Sequence, residues 1–176
     1  VERGYGAIGW GVPDAGDPRL AGLRGVSFEP GGVLKVDLPL GRHKADRKKM
    51  AVRHDGGRRA VTRFAVAERL AGGGAALLQC RLETGRTHQI RVHAAHIGHA
   101  LLADPVYGGS RKGAAAGLGD AAQDALAAMP GQALHAATLG FVHPVTGEKL
   151  VFEAPAPDAF NKLFTVLRDG WRGVGS

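Results

Sequence analysis

The sequence predicts an α+β domain built around a mixed, largely antiparallel sheet with flanking helices. Apolar and polar residues alternate along several segments of strand length, which is the pattern of half-buried strands. Turns rich in glycine or proline separate consecutive segments of this kind, and short turns favour antiparallel pairing. Helical periodicity is confined to fewer stretches, so the helices are expected to flank the sheet.

Strand patterns occur at 33–38, 60–70 and 76–83, where every second residue is apolar. The flexible sequence AGGGA joins the second and third of these segments and predicts an antiparallel hairpin. Residues 134–142 and 148–154 flank the sequence HPVTG, whose proline and glycine predict the turn of a second hairpin.

Helix signals occur at three places. Thr87 is a suitable N-cap for a helix to about Ile97, with Gly98 as its end. A short helix is predicted over 120–129, inside an otherwise loop-like stretch rich in alanine and glycine. Near the C-terminus, Asp158 can cap a helix that Gly170 ends. The apolar stripe of this last helix comprises Phe160, Leu163, Phe164 and Leu167.

Composition indicates one basic domain. The chain has 176 residues, 44% of them hydrophobic, and its 23 Lys and Arg against 16 Asp and Glu give a net charge of +7. Such a charge favours an anionic partner, above all nucleic acid. The single cysteine, Cys80, excludes an internal disulfide framework and is interpreted as a buried hydrophobe in a reducing cytoplasm. No apolar run of about 18 residues or signal peptide occurs, so a cytoplasmic monomer that does not insert into membranes is expected.

Cations and histidines are concentrated in residues 81–109, RLETGRTHQIRVHAAHIGHALLADPVYGG. The predicted helix would place Arg86 and His88 at its N-terminus, where backbone N–H groups and the helix dipole attract anions, with Arg91 one turn further on. His93 and His96 are spaced to share one helix face and so could bind a metal, but no HExxH motif or cysteine pair accompanies them. The ordinary alternative to metal binding is that His96 and His99 are solvated or hydrogen-bonded side chains of the helix.

A second basic segment extends from Arg42 to Arg63 and holds nine Lys or Arg residues against Asp46 and Asp55. On its own such a segment is usually a solvated loop, but two basic regions in one small domain favour a groove that follows RNA phosphates. The residues expected to contact RNA there are Lys48, Lys49 and Arg53.

The motifs in this order resemble those of the RluA-type pseudouridine synthases, which isomerise uridine to pseudouridine in ribosomal or transfer RNA. The string LETGRTHQIRVHAAHIGHALLADPVYGG carries the resemblance, and YGAIGWGVP, RKKMAV, RAVTRFAV, LHAATLGFVHPVTGE and FEAPAP follow the family's order along nearly the whole chain. The resemblance implies a cofactor-free reaction on a uridine flipped out of the RNA. It implies that Tyr5 stacks on the base and that Arg86 pairs with a catalytic aspartate, while His88, Gln89 and Arg91 lie beside the RNA.

The sequence departs from the family pattern at the nucleophile. The family's aspartate lies in an HRLD-x-x-TSG motif upstream of the strand that matches Tyr5, and these 176 residues contain no such motif. Asp104 matches another position, where Ala103 replaces the usual glycine, and it is interpreted as a turn-capping residue before Pro105. We therefore expect residues 1–176 to be the C-terminal portion of a synthase catalytic domain, without an N-terminal RNA-binding module and inactive alone.

Three functions remain open at this stage. A pseudouridine synthase explains the ordered motifs, a non-catalytic RNA-binding domain explains the charge alone, and a metal-dependent hydrolase explains only the histidines. The sequence favours the synthase, with ribosomal RNA preferred to transfer RNA as its partner.

Overall fold

A seven-stranded sheet forms the centre of the computed structural model, which describes residues 2–139, 150–152 and 157–169. The strands of the described part are β1 (Glu2–Trp10), β2 (Val26–Glu29), β3 (Val33–Asp37), β4 (Leu40–Arg42), β5 (Met50–Val52), β6 (Val61–Leu70), β7 (Ala75–Leu82), β8 (Leu134–Leu139) and β9 (Leu150–Phe152). The central sheet has the order β2-β3-β6-β7-β1-β8-β9, while β4 and β5 form a separate two-stranded sheet. All of these pairings are antiparallel.

The predicted α+β class and both predicted strand pairings are confirmed. β6 and β7 form a hairpin through a short 3₁₀ turn, Ala71–Gly73, and their register shifts once between Val66 and Glu68. β8 and β9 also pair, although the HPVTG turn that was expected between them lies outside the described residues. The sheet was expected to be mixed and largely antiparallel, and the pairings of the described strands are antiparallel throughout.

The described helices are α1 (Pro18–Ala21), α2 (Gln89–His96), α3 (Lys112–Ala116), α4 (Asp120–Ala127) and α5 (Asp158–Asp169). α2 begins after His88, so the prediction of Thr87 as its N-cap is wrong, and His88 takes that position in a left-handed conformation with φ of 56°. Gly98, with φ of 86°, does follow the helix and ends it as predicted. α5 starts at Asp158 itself, so Asp158 lies in the first turn rather than before it.

Two apolar cores lie on opposite faces of the sheet, because side chains alternate along each strand. On β1, Ala7 belongs to the core under α2, whereas Ile8 and Trp10 belong to the core that α4 and α5 cover. Burying a side chain such as Ile8 stabilises the fold by about 1.5–3 kcal/mol relative to leaving it exposed, so the two cores hold the helices on the sheet. The α5 stripe is confirmed by the burial of Phe160, Leu163 and Leu167, with Phe164 packed against them.

Two helices, α3 and α4, lie in the stretch 110–132 that was expected to be mostly loop. α4 is close to the predicted helix over 120–129, and α3 lies where only a loop was expected. Within the described part of the chain, no helix has the length and apolarity that crossing a bilayer requires.

Candidate functional site

A buried glutamine fixes the turn that carries Arg86. Gln89 is 2% exposed, and its Oε1 accepts hydrogen bonds from the Thr84 hydroxyl at 2.7 Å and from the Arg86 backbone N–H at 3.1 Å. Its Nε2 donates to the Val61 carbonyl at 2.9 Å and to Thr62 Oγ1 at 3.0 Å. The amide of Gln89 is therefore fully used in joining the turn to β6, and the contact of Gln89 with RNA stays a prediction.

The same network continues into the buried side chain of His93. His93 Nε2 lies 2.9 Å from the Leu38 carbonyl, which can only accept, so this nitrogen carries the hydrogen. Nδ1 then accepts the Thr62 hydroxyl hydrogen at 2.8 Å. Burial lowers the pKa of His93 to about 4, which agrees with a neutral ring. His93 is thus a structural residue that ties α2 to the sheet.

Arg86 lies at the edge of a cavity of about 350 Å³. Its Nε donates to the backbone carbonyl of Arg59 at 2.8 Å, so the chain entering β6 holds the side chain of Arg86, while Gln89 holds its backbone N–H. The carbonyl orients the Arg86 guanidinium but does not neutralise its positive charge. The guanidinium therefore remains able to pair with a catalytic carboxylate or a phosphate. The cavity is lined by Leu40, Gly41, Arg42, Met50, Gly56, Arg58, Gly85, Arg86 and Thr87.

His88 is linked through Tyr107 to the β4–β5 hairpin. Tyr107 Oη accepts the Met50 backbone N–H at 3.0 Å and lies 2.8 Å from His88 Nδ1. Desolvation lowers the pKa of His88, and the Arg91 charge lowers it further against the opposing effect of Asp104. A neutral His88 can accept the tyrosine hydrogen at Nδ1 and keep its Nε2–H available. Its contact with RNA stays a prediction.

Arg91 is buried in an ion pair rather than presented to a ligand. Its Nε and Nη2 donate to the two carboxylate oxygens of Asp104 at 2.9 Å each, and the two side chains are 10% and 1% exposed. Asp104 also accepts the backbone N–H groups of Val106 and Tyr107. The contact of Arg91 with RNA stays a prediction, and the buried ion pair supports a different role for this residue. We assign it a positioning role, in which its guanidinium also lies 5.0 Å from the centre of the Tyr107 ring.

Asp104 is the turn-capping residue that the sequence indicated, and these contacts make it unsuitable as a nucleophile. Each of its oxygens is occupied by a donor, and reaching a substrate would require breaking the buried pair with Arg91. Ala103, before it, has φ of 61°, a left-handed conformation that explains why relatives would use glycine there. The family resemblance indicated the departure from glycine, but only the backbone shows the left-handed conformation of Ala103.

The second basic segment meets the Arg86 turn around this cavity. Lys48 is exposed and Lys49 half-buried in the loop between β4 and β5. Arg53 donates to the carbonyls of Arg42 at 2.8 Å and Asp55 at 3.4 Å, so it braces the loop while keeping its charge. RNA contacts by Lys48, Lys49 and Arg53 stay predictions. Arg42 and Arg58, which line the cavity, were not singled out from the sequence because nothing local distinguishes them from neighbouring cations.

Tyr5 lies on β1, directly opposite Cys80 of β7. It is half-buried and packs on the core under α2. No hydrogen bond joins Tyr5 to Arg86 in the described part of the chain. Cys80 is fully buried, and burial raises the pKa of its thiol, as expected of an inert hydrophobe.

Among the residues that the structure describes, the remaining histidines do not converge on a metal site. His96 is exposed whereas His93 is buried, so they do not share an accessible face. His99 contacts the Trp10 carbonyl through Nδ1 at 2.7 Å and the Asp17 carboxylate through Nε2 at 2.8 Å. Over the residues that the structure describes, no group of three or more metal-ligating side chains occurs.

Comparison with known proteins agrees with these observations. Residues 29–96 match a family model described as "RNA pseudouridylate synthase". "Ribosomal large subunit pseudouridine synthase D" of Zymomonas mobilis is 49% identical over 133 residues, which cover 75% of this chain and 39% of that protein. "RNA pseudouridine synthase 2, chloroplastic" of Arabidopsis thaliana is 40% identical over 157 residues, covering 82% of this chain and 36% of the relative. The chain thus spans well under half the length of these relatives.

Solved structures show the same fold. "Human RNA Pseudouridylate Synthase Domain Containing 4" aligns with a TM-score of 0.55 over 94% of this chain and 61% of that one, at 20% sequence identity. "Human RNA Pseudouridylate Synthase Domain Containing 1" gives a TM-score of 0.54 at the same identity, over 90% of this chain and 56% of that one.

Proposed function

We infer that this chain, which belongs to the RNA pseudouridylate synthase family, is part of an enzyme that isomerises uridine in RNA to pseudouridine. One observation carries the proposal. Arg86, in the segment that resembles the family's signature, is fixed by Gln89 and by the Arg59 carbonyl at the edge of a cavity, with no carboxylate neutralising it among the described residues. An arginine held this way is preorganised for a negatively charged partner.

In the proposed reaction, the target uridine leaves the RNA stack, its glycosidic C–N bond breaks, and the base rejoins the sugar through carbon. Arg86 would orient a catalytic aspartate and keep it ionised, because a bidentate guanidinium stabilises a carboxylate that must act away from water. Tyr5 would stack on the uracil ring. The reaction as proposed needs no cofactor.

The aspartate itself corresponds to no residue of the 176 given, because the HRLD-type motif is not among them. Asp104 is excluded by its buried ion pair with Arg91. We therefore propose that residues 1–176 are the C-terminal portion of the catalytic domain and do not catalyse the reaction alone. An aspartate on an HRLD-type segment would complete the site.

Ribosomal RNA is the substrate we propose, since the Zymomonas relative is named for the large ribosomal subunit. The basic charge of +7 supports an RNA partner of either kind. We propose further that the enzyme is a monomer and acts in the cytoplasm, and a single buried free cysteine agrees with a reducing compartment of that kind. A non-catalytic RNA-binding domain is the alternative, and it would use the same cations without needing an oriented Arg86.

A chimera tests the proposal. The part of the Zymomonas relative that precedes the aligned region would be joined to this chain, and tritium release would be followed from ribosomal RNA labelled at uridine C5. Pseudouridine formation frees that hydrogen, so the chimera should release tritium above a no-enzyme control. Arg86→Met should reduce turnover at least about 100-fold, as expected for loss of a preorganised charge, with RNA affinity changed far less.

Two further variants sharpen the outcome. Arg86→Lys keeps the charge without the bidentate geometry and should also lose most of the activity. Arg69→Met removes an exposed arginine on β6, 3.9 Å from Asp14, and should leave turnover unchanged. A folded chimera that binds RNA and releases no tritium would refute the proposal in favour of a binding domain. Parallel losses of affinity and turnover in Arg86→Met would favour the same alternative.

A further inference from the structure

Three arginines meet at one cavity, although only one of them belongs to the family-like signature segment. Arg42 comes from the end of β4, Arg58 from the segment before β6, and Arg86 from the turn before α2. The cavity volume of about 350 Å³ falls at the lower end of the range for small-molecule sites, about 300–1,000 Å³. The cavity therefore has space for part of a nucleotide as well as for an ion.

The charges of these arginines are not compensated within the described residues. Arg42 donates to the Arg47 carbonyl at 3.1 Å and Arg86 to the Arg59 carbonyl at 2.8 Å, and none of Arg42, Arg58 and Arg86 makes an ion pair there. A carbonyl contact positions a guanidinium without neutralising it.

Two nearby arginines on the same stretch of chain behave differently. Arg59 contacts the Glu83 carboxylate at 3.3 Å, and Arg63 contacts Glu83 and Glu29 at 2.7 Å each. Glu29 and Glu83 thus pair with arginines that do not line the cavity. The three arginines that do line it have no counter-charge among the described residues.

The backbone at Gly85 is accessible from the cavity. Gly85 lies in the cavity wall, and a methyl group built there would meet no protein atom within 4 Å. The missing side chain therefore leaves space for a ligand to approach the backbone closely.

We propose that Arg42, Arg58 and the backbone at Gly85 form a phosphate-binding pocket that holds a phosphodiester of the RNA beside the nucleotide reaching Arg86. The inference rests on the proposed function for the identity of the RNA substrate. Arginine suits this role because its planar fork matches two phosphate oxygens. Arg86 would remain the partner of the catalytic carboxylate, so the two negative groups would be held by different arginines in one cavity.

Binding of a short fluorescein-labelled oligouridine RNA to this chain, measured by anisotropy over a range of salt concentrations, tests the pocket. Arg58→Met should lower affinity about 10-fold, the loss expected for one charge-assisted contact. It should also reduce the magnitude of the slope of log K against log salt by about 0.7, one phosphate contact on a single strand. The side chain of Arg58 makes no hydrogen bond in the described part of the chain, and its backbone bonds to Leu40 are retained in the variant.

Arg69→Met is the matched control, since it removes the same charge from an exposed position outside the cavity. The control should change neither the slope nor the affinity by more than about 2-fold, the shift expected of a distant screened charge. Equal effects of Arg58→Met and Arg69→Met would overturn the proposal, because only overall charge would then matter.

Gly85→Ala separates binding from folding. The added methyl group should leave thermal stability unchanged or slightly raised, since it meets no protein atom, while RNA affinity falls at least about 5-fold if a phosphate approaches the backbone. Unchanged RNA affinity in a folded Gly85→Ala protein would count against the pocket. Tritium release by the chimera is a separate readout. An inactive chimera together with the predicted loss on Arg58→Met would reject the synthase assignment and keep the phosphate pocket.

Discussion

Replacing Asp104 tests whether a buried ion pair supports the helix and turn at the candidate site. Asp104 accepts two hydrogen bonds from Arg91 and two from backbone N–H groups, and its side chain is 1% exposed. Asp104→Ala would remove all four acceptor contacts and leave the Arg91 guanidinium, 10% exposed, without a counter-charge. Asp104→Asn is a milder change, because its carbonyl oxygen can keep the backbone contacts while its NH₂ group faces a donor of Arg91.

Breaking one partner of such a pair costs about 3–5 kcal/mol, since an uncompensated charge stays buried. This is a large share of a total unfolding free energy of about 5–15 kcal/mol. Asp104→Asn should cost less, about 1.5–3 kcal/mol, the range for loss of a hydrogen bond to a charged group. Arg91→Met combined with Asp104→Ala removes both charges, so the double variant should be more stable than the sum of the single effects by about 2 kcal/mol or more.

Urea unfolding, followed by circular dichroism, measures these differences for the wild-type protein, the three single variants Asp104→Ala, Asp104→Asn and Arg91→Met, and the double variant. Additive effects of the Arg91 and Asp104 substitutions, or a cost below about 1 kcal/mol for Asp104→Ala, would refute the assignment of a strongly coupled buried pair.

The same pair predicts a dependence on pH. Burial acts to raise the pKa of Asp104, but the bonds from Arg91 and the backbone N–H groups outweigh it and hold the pKa below its ordinary value of 3.8. A carboxyl with a lowered pKa in the folded state stabilises the fold fully above its unfolded pKa, and this contribution disappears as pH falls through the folded pKa. The wild-type protein should therefore lose more unfolding free energy than Asp104→Asn between pH 7 and acid conditions below about pH 4.

Two further substitutions test the surroundings of this pair. Ala103→Gly should raise stability by about 0.5–1 kcal/mol, since relief of left-handed strain exceeds the added freedom of the unfolded chain, and thermal unfolding should show a rise of about 1–4 °C. A lower melting temperature would show that the conformation at Ala103 is not strained. Tyr107→Phe keeps the ring beside Arg91 and removes the acceptor for the Met50 N–H, so hydrogen exchange at the Met50 amide should become faster and stability should fall by about 1–3 kcal/mol. Unchanged protection of that amide would contradict the proposed link between the hairpin and α2.

The local features of the fold follow from sequence patterns. The alternation of apolar and polar residues predicted β3, β6 and β7, and the glycine-rich AGGGA sequence predicted the hairpin that joins β6 to β7. Both signals are local, because the side-chain period of a strand and the chemistry of a turn depend on a few adjacent residues. Gly98 marked the end of α2 for the same reason. The start of α2 was misplaced because the Arg86 N–H is satisfied by Gln89, and no rule based on a capping residue anticipates a buried glutamine bonded to another strand.

The sequence by itself determined the fold class, the basic character, the resemblance to the family and the importance of the Arg86 segment. Only the tertiary structure decided which polar residues of the Arg86 segment are available to a ligand. Arg91 and Gln89 resemble ligand-binding residues in sequence, yet both are buried by partners far along the chain. Arg42 and Arg58 look ordinary in sequence but line the cavity with Arg86. Availability depends on which groups from distant segments satisfy each charge and donor, and long-range pairing is a property that a single linear sequence does not display.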